Sequence, residues 1–265
     1  LEQGLGRNRT FSATYGGALG RNLLRRETFS QPGAFQTFDT VQIQRSDAAS
    51  DYHSLQLQFI ERLNKNLQVL VSYTWSHSID TASDNVSLTL PDTLFDPRLN
   101  RASSDFDVRH VVSGAVTYDL PFGRGEGFFN HLARDWGMDG VFRVQSGFPI
   151  DILQRRATLV GNYDLRPNLV PGQPLEIFGD AYPGGRILNR AAFQSAATQQ
   201  VHGTMPRNFL RGFPLEQLDL TVRRTFRFGE RWNAQLRGEF FNVLNHPSFG
   251  APVSNLADPL FGRST

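Results

Sequence analysis

The chain contains no cysteine. A disulfide framework and a thiolate metal site are therefore both excluded. It carries almost no net charge, +2 from 27 basic and 25 acidic residues. That rules out the basic footprint of a nucleic-acid binder, so no nucleic acid is expected among its partners. Lysine is nearly absent: Lys65 stands alone and every other basic residue is arginine, a bias that a GC-rich genome accounts for. Mean hydropathy is −0.35, and no run is apolar enough for a transmembrane helix. Strands are a different matter, because in a membrane barrel only every second residue meets lipid. No GxSxG, P-loop, dinucleotide or HExxH motif occurs. No catalytic residue, cofactor or metal ligand is assigned, and the protein is not read as an enzyme.

What the chain does have is a period of two. Leu218, Leu220, Val222, Phe226 and Phe228 share one face of a run, against Gln217, Asp219, Thr221, Arg223, Thr225 and Arg227. After Gly229-Glu230-Arg231 the alternation resumes, with Trp232, Ala234, Leu236, Gly238 and Phe240 against Asn233, Gln235, Arg237 and Glu239. This predicts a β-hairpin. Each arm runs about a dozen residues, where soluble strands usually have five or six and a bilayer crossing takes roughly 9–11. Similar runs cover 8–24, 52–62, 67–78, 105–120 and 134–152, with a shorter extended piece from Thr37 to Arg45.

The connections sort by length. Those at 64–66 and 229–231 are tight and that at 121–133 is moderate; those at 25–50, 80–104, 153–213 and from 247 onward are long. Short and long alternate, as they do in outer-membrane barrels, with short periplasmic turns and long outer loops. The expected fold is all-β: a partial transmembrane antiparallel β-barrel of about seven long strands with long extracellular loops.

Several phrases resemble the C-terminal part of the Oar-like TonB-dependent transporters, outer-membrane receptors abundant in acidobacteria. They include Asp51-Tyr52-His53-Ser54-Leu55-Gln56, Ser72-Tyr73-Thr74-Trp75-Ser76, Ser104-Asp105-Phe106-Asp107-Val108-Arg109-His110 and Tyr118-Asp119-Leu120-Pro121-Phe122-Gly123. Gln145-Ser146-Gly147-Phe148-Pro149, Arg166-Pro167-Asn168-Leu169-Val170, Asn208-Phe209-Leu210-Arg211-Gly212 and Phe240-Phe241-Asn242-Val243-Leu244-Asn245-His246-Pro247 follow in order. The resemblance implies a barrel of about 22 strands with a plugged lumen, in the outer membrane, moving a bulky substrate with energy from a TonB complex. It also implies that residues 1–265 are a fragment, with the plug, the TonB box and the last strand lying outside it. Partners would be outer-membrane lipid, the TonB energy-coupling complex through the missing N-terminal part, and an unknown substrate. A passive porin or adhesion barrel, a soluble secreted carbohydrate-binding β-sandwich and, more distantly, a glycosidase are the rival readings.

On the barrel reading Arg109, Asp119, Asp139, Arg143, Asp219, Arg223, Arg227, Arg237 and Glu239 face the lumen, as a substrate path or as charge pairs that merely stabilise the wall. Tyr73, Trp75, Trp136, Phe226, Phe228 and Trp232 form an aromatic girdle, or else pack a sandwich core. Arg224 is the misfit. It falls on the apolar face, where a bulge or a position near the outer leaflet is needed to excuse it. His77 with Asp80 and Asp84, and the group Asp80, Asp84, Asp92 and Asp96, read as ordinary polar loop rather than as metal ligands.

Overall fold

The computed structural model describes residues 1–30, 40–63, 66–83, 86–88, 97–123, 127–158, 161–196, 202–229 and 231–264. Asn64, Lys65, Asp84, Asp92, Asp96 and Glu230 lie outside them, as does the turn signal Gln31-Pro32-Gly33.

The main sheet has a short leader, β1 (Glu2–Gly4), and seven long strands: β2 (Arg9–Ser30), β3 (Thr40–Leu63), β4 (Leu67–Asp80), β5 (His110–Asp119), β6 (Trp136–Gln145), β7 (Leu215–Phe228) and β8 (Trp232–Phe240). They pair in chain order, each antiparallel to the next, as an up-and-down meander. Among the described residues β8 does not pair back to β1, so the barrel wall is open.

Register carries one face across the whole sheet. Phe11 pairs with Phe59, Phe59 with Val71, Val71 with Gly114, Gly114 with Phe142, and Phe142 with Leu218. Ser12, Gln58, Ser72, Ser113, Arg143 and Gln217 form the neighbouring row by the same pairings. Because a strand's side chains alternate, each row fixes the next, and an apolar sheet face stands against a polar one. The apolar face is not covered: Trp232, Leu236 and Phe228 are 76%, 64% and 61% exposed.

The first hairpin departs from expectation. Residues 25–30 and 40–50 are strand, not loop: β2 continues to Ser30 and β3 starts at Thr40. The ladder shifts register between Gly20 and Leu24. Beyond that irregularity Arg25-Arg26-Glu27 and Arg45-Ser46-Asp47 are unbroken polar runs, which is why the sequence reads as loop around the short alternating piece that ends at Arg45. Twenty-four residues at about 3.4 Å each reach roughly 80 Å, far more than a bilayer needs, so the upper half requires no apolar face. The strands expected over 105–120 and 134–152 are shorter, starting at His110 and Trp136, and the second stops at Gln145. Gly147 there crosses the backbone at Gly212, where an added Cβ would lie 2.1 Å from the Gly212 carbonyl oxygen. The sheet ends where the two chains touch.

The stretch 153–213 is not structureless either. Gln154–Thr158 pairs with Gly161–Leu165, Asn168–Leu169 with Phe193–Gln194, Glu176–Phe178 with Arg186–Leu188, and Pro149–Ile150 with Leu210–Arg211. These pieces surround Ile150, Ile152, Leu188, Ala192, Phe193, Met205, Leu210, Leu256 and Phe261, all buried. Phe193 and Phe261 meet edge to face at 5.7 Å. The last two members of the cluster come from beyond Phe249, so the two late long loops fold into one lobe. Among the described residues Ala48 is the only fully buried apolar residue of the long strands. The hydrophobic core is in the loops, not the sheet.

Candidate functional site

Two polar groups stand out, one at each end of the sheet. At the end carrying the tight turns, Arg223 on β7 reaches across two strands. Its Nη2 donates to Asp119 Oδ1 at 2.5 Å and its Nε to Asp139 Oδ2 at 3.0 Å. Gly137 leaves the room, since a Cβ there would lie 2.5 Å from the guanidinium carbon. Of the expected polar-face residues, Asp119, Asp139 and Arg223 therefore meet. Arg237 pairs with Glu239 at 2.8 Å, Arg227 with Asp135 at 3.6 Å, and Arg143 donates to Gln145 at 2.9 Å. Asp219 accepts from the Asn242 amide at 2.8 Å and pins the end of β8. Arg223 with Asp119 and Asp139 is cross-strand charge pairing, about 0.2–1 kcal/mol a pair, whereas Arg237–Glu239 and Arg143–Gln145 join residues two apart on one strand.

Arg109 does not join that wall. It precedes β5, and its side chain turns to Asp107 (2.8 Å) and to His77 (3.1 Å). Asp107 is the centre of the other end. Its side chain is 1% exposed, and it accepts from the Ser78 amide at 2.7 Å, from His77 Nδ1 at 3.3 Å, and from Arg109 and Arg211. Burial alone raises a carboxyl's pKa; here the Ser78, Arg109, Arg211 and His77 hydrogen bonds prevail and hold Asp107 at about 2. Arg211 also donates to the Asp107 and Gly147 carbonyls, so one carboxylate clamps β4, the start of β5 and the lobe together.

Beside this clamp the lobe roofs a cavity of about 410 Å³ lined by Ser83, Asn100, Asp105, Asp151, Asp164, Arg166, His202, Arg207 and Asn208, among others. Arg207 donates to Asp80 at 2.5 Å, to Ser83 at 2.7 Å and to the Asn100 carbonyl at 3.0 Å. Asn208 donates to Asp105 at 2.6 Å and to the Ser103 carbonyl at 2.8 Å. Arg166 donates to Asn100 at 3.0 Å. Burial pushes Asp151 up to about 6, against the pull of Arg166, the Asn208 amide and Arg207. Burial also pushes His202 down to about 3, with the Arg166 charge adding to it. No group of three or more metal-ligating side chains occurs among the described residues. Asp105, Arg166 and Asn208 stand in the phrases that carry the resemblance, but the sequence names none of the lining residues as a site residue.

The two carboxylates set opposite pH dependences for the lobe. Asp107 stabilises it above about pH 4, and that contribution is lost as pH falls toward 2. Asp151 is protonated in both states below its ordinary value of 3.8. Between 3.8 and about 6 the folded lobe keeps a proton that the unfolded chain has released, so stability falls as pH rises through that window. Asp151→Asn is expected to raise the lobe's hydrogen-exchange protection at pH 7.5 and leave it unchanged at pH 3.5. Equal effects at both pH values would contradict this.

The aromatic residues all lie on the apolar face, in two levels. Trp136, Phe226, Phe228 and Trp232 are at the turn end, with Phe228 directly opposite Trp232. Tyr73 and Trp75 sit inside β4, short of its end at Asp80. Tyr73 Oη lies 2.9 Å from His110 Nδ1, and Tyr15 Oη lies 2.6 Å from His53 Nδ1 at the same level.

Known proteins agree with this architecture. A family profile described as an outer membrane beta barrel domain matches residues 1–265. The chain belongs to that family. A barrel domain of this family resides in the outer membrane. The structure is similar to the crystal structure of the outer membrane transporter YddB from Escherichia coli, with a TM-score of 0.53 and 12% identity, over 99% of this chain and 29% of that one. This chain thus spans under a third of the transporter's length. A search of curated proteins finds no match.

Proposed function

We propose that this barrel domain is the C-terminal portion of a TonB-dependent transporter of the Oar-like type. Its apolar sheet face meets lipid, its polar face lines the lumen, and its outer lobe makes first contact with a bulky substrate. The observation that supports this best is the division of labour in the fold. An uncovered two-faced sheet carries no core of its own, while the packed core and the polar cavity sit together at the long-loop end. A soluble sandwich buries its inner sheet faces against each other; this sheet does not. Recognition usually resides in loops held by a rigid scaffold, and the lobe is such a platform, clamped to the wall through Asp107. Its cavity admits one terminal unit of a larger molecule, within the usual range of about 300–1,000 Å³ for binding pockets.

Energy coupling separates this reading from a passive porin. The full-length protein in detergent is expected to retain the soluble periplasmic domain of TonB from its own host. Absence of that complex, together with steady ion conductance in planar bilayers, would favour the passive barrel.

A further inference from the structure

We infer that the short helix over residues 128–133, in the connection after β5, is a lipid-embedded hook, inserted into the periplasmic leaflet of the outer membrane. The inference rests on the proposed lipid-facing assignment of the apolar sheet face. Short turns of outer-membrane barrels project into the periplasm and have no need of apolar side chains. This one carries the six-residue helix α1 (Phe128–Ala133), with Phe128, Phe129 and Leu132 exposed by 76%, 82% and 53%. The two phenylalanine rings pack edge to face at 5.8 Å, so they present one apolar knob and not scattered side chains. Large contiguous apolar exposure marks a partner.

The partner follows from how the helix is held. The last carbonyls of a helix have no intrahelical donor. Here Trp136 Nε1 donates to the Leu132 carbonyl at 2.8 Å and Arg224 Nη2 donates to the His131 carbonyl at 2.8 Å. Trp136 and Arg224 pair directly across β6 and β7, and both stand on the apolar sheet face. The helix is therefore moored to the surface assigned to lipid, next to Trp136, with its phenylalanines exposed. This also explains Arg224. No register shift marks β7, and the residue lies at the turn end, not at the outer one. Its guanidinium lies 5.4 Å from the Trp136 ring centre and 4.6 Å from that of Phe226, and runs to the helix end as a snorkelling side chain does. A cation is favourable at that end of a helix. Phospholipid is the occupant that meets both the sheet face and a helix tied to two residues of that face.

The test uses the full-length protein in vesicles of phosphatidylethanolamine and phosphatidylglycerol, with one nitroxide at a time at positions 129, 220 and 221. The described family domain contributes no cysteine of its own. Collision with oxygen reports lipid and collision with a nickel chelate reports water. The expected result is that labels on Phe129→Cys and Leu220→Cys are oxygen-accessible and several-fold less accessible to nickel than Thr221→Cys. Nickel access at 129 with lipid access at 220 would place the helix in water and overturn the hook while leaving the face assignment intact. Shielding of 129 from both reagents would mean a protein covers it, which also overturns the hook. Lipid access at 221 in place of 220 would overturn the face assignment itself. Arg224→Gln is expected to raise nickel access at 129 several-fold and Arg224→Lys to restore it; no change in Arg224→Gln would remove Arg224 from the account.

Discussion

Val71→Arg is expected to destabilise the folded barrel by about 2–4 kcal/mol, the usual cost of a mid-bilayer arginine on a lipid-facing strand position. Val71 lies on β4 between Leu67 at the turn end and Trp75 at the outer aromatic level, flanked on its face by Phe59 and Gly114. No strand end or helix terminus lies within reach to take the charge, as the His131 carbonyl does for Arg224. Ser72→Arg, one residue along, places the same side chain on the polar face beside Gln58 and Ser113. It is expected to fall within about 0.5 kcal/mol of the parent, as exposed substitutions usually do. Urea titration of the full-length protein refolded into vesicles measures both. Comparable losses from the two would mean that the faces differ in composition but not in solvent.

The second large effect is expected at Asp107. Asp107→Ala removes a carboxylate that two arginines, a histidine and a backbone amide share. Breaking a buried ion pair by deleting one partner costs about 3–5 kcal/mol, because the remaining charge is left uncompensated. The loss is local: the lobe detaches while the sheet persists. Amide protection at Ile152 and Leu165 is expected to collapse, and trypsin to cut at Arg211, with strand protection in β4 below Tyr73 unchanged. Asp139→Ala at the other end of the sheet removes one partly exposed partner of Arg223, which keeps Asp119, and is expected to cost no more than about 1 kcal/mol. Similar losses from Asp107→Ala and Asp139→Ala would show that the clamp is no more than another surface pair.

The wall was legible because its physics is local. A strand with two different solvents on its two faces must alternate, and Leu218 to Phe228 or Leu67 to Trp75 show that directly. The charge pairing of Asp119, Asp139 and Arg223 followed once those strands stood side by side. The upper halves of β2 and β3 were only partly legible: Thr40 to Gln44 still alternates, but Arg25-Arg26-Glu27 and Arg45-Ser46-Asp47 are polar on both faces and lose the period. The lobe was hidden for a different reason. Ile150, Leu188, Met205, Leu210 and Leu256 come from far-apart, proline- and glycine-broken pieces, and their only common property is spatial. One signal was present and unread. Three phrases that carried the family resemblance, around Asp105 to Arg109, Gly147, and Asn208 to Gly212, are the ones that meet at the base of the lobe. Arg224 was seen as a conflict with the apolar face but not as a helix-capping side chain, since α1 has no marked periodicity in so short a turn.

In the proposed assignment one sheet divides lipid from lumen. Its most direct test is a nitroxide scan of β7 from 217 to 227 in the full-length protein, reconstituted in vesicles and read by oxygen against nickel-chelate collision. The account predicts a period of two, with lipid contact at 218, 220, 222 and 226, water contact at 217, 219, 221, 223, 225 and 227, and a muted signal at 224. A flat profile, or lipid contact at the arginine-bearing positions 223 and 227, would contradict it.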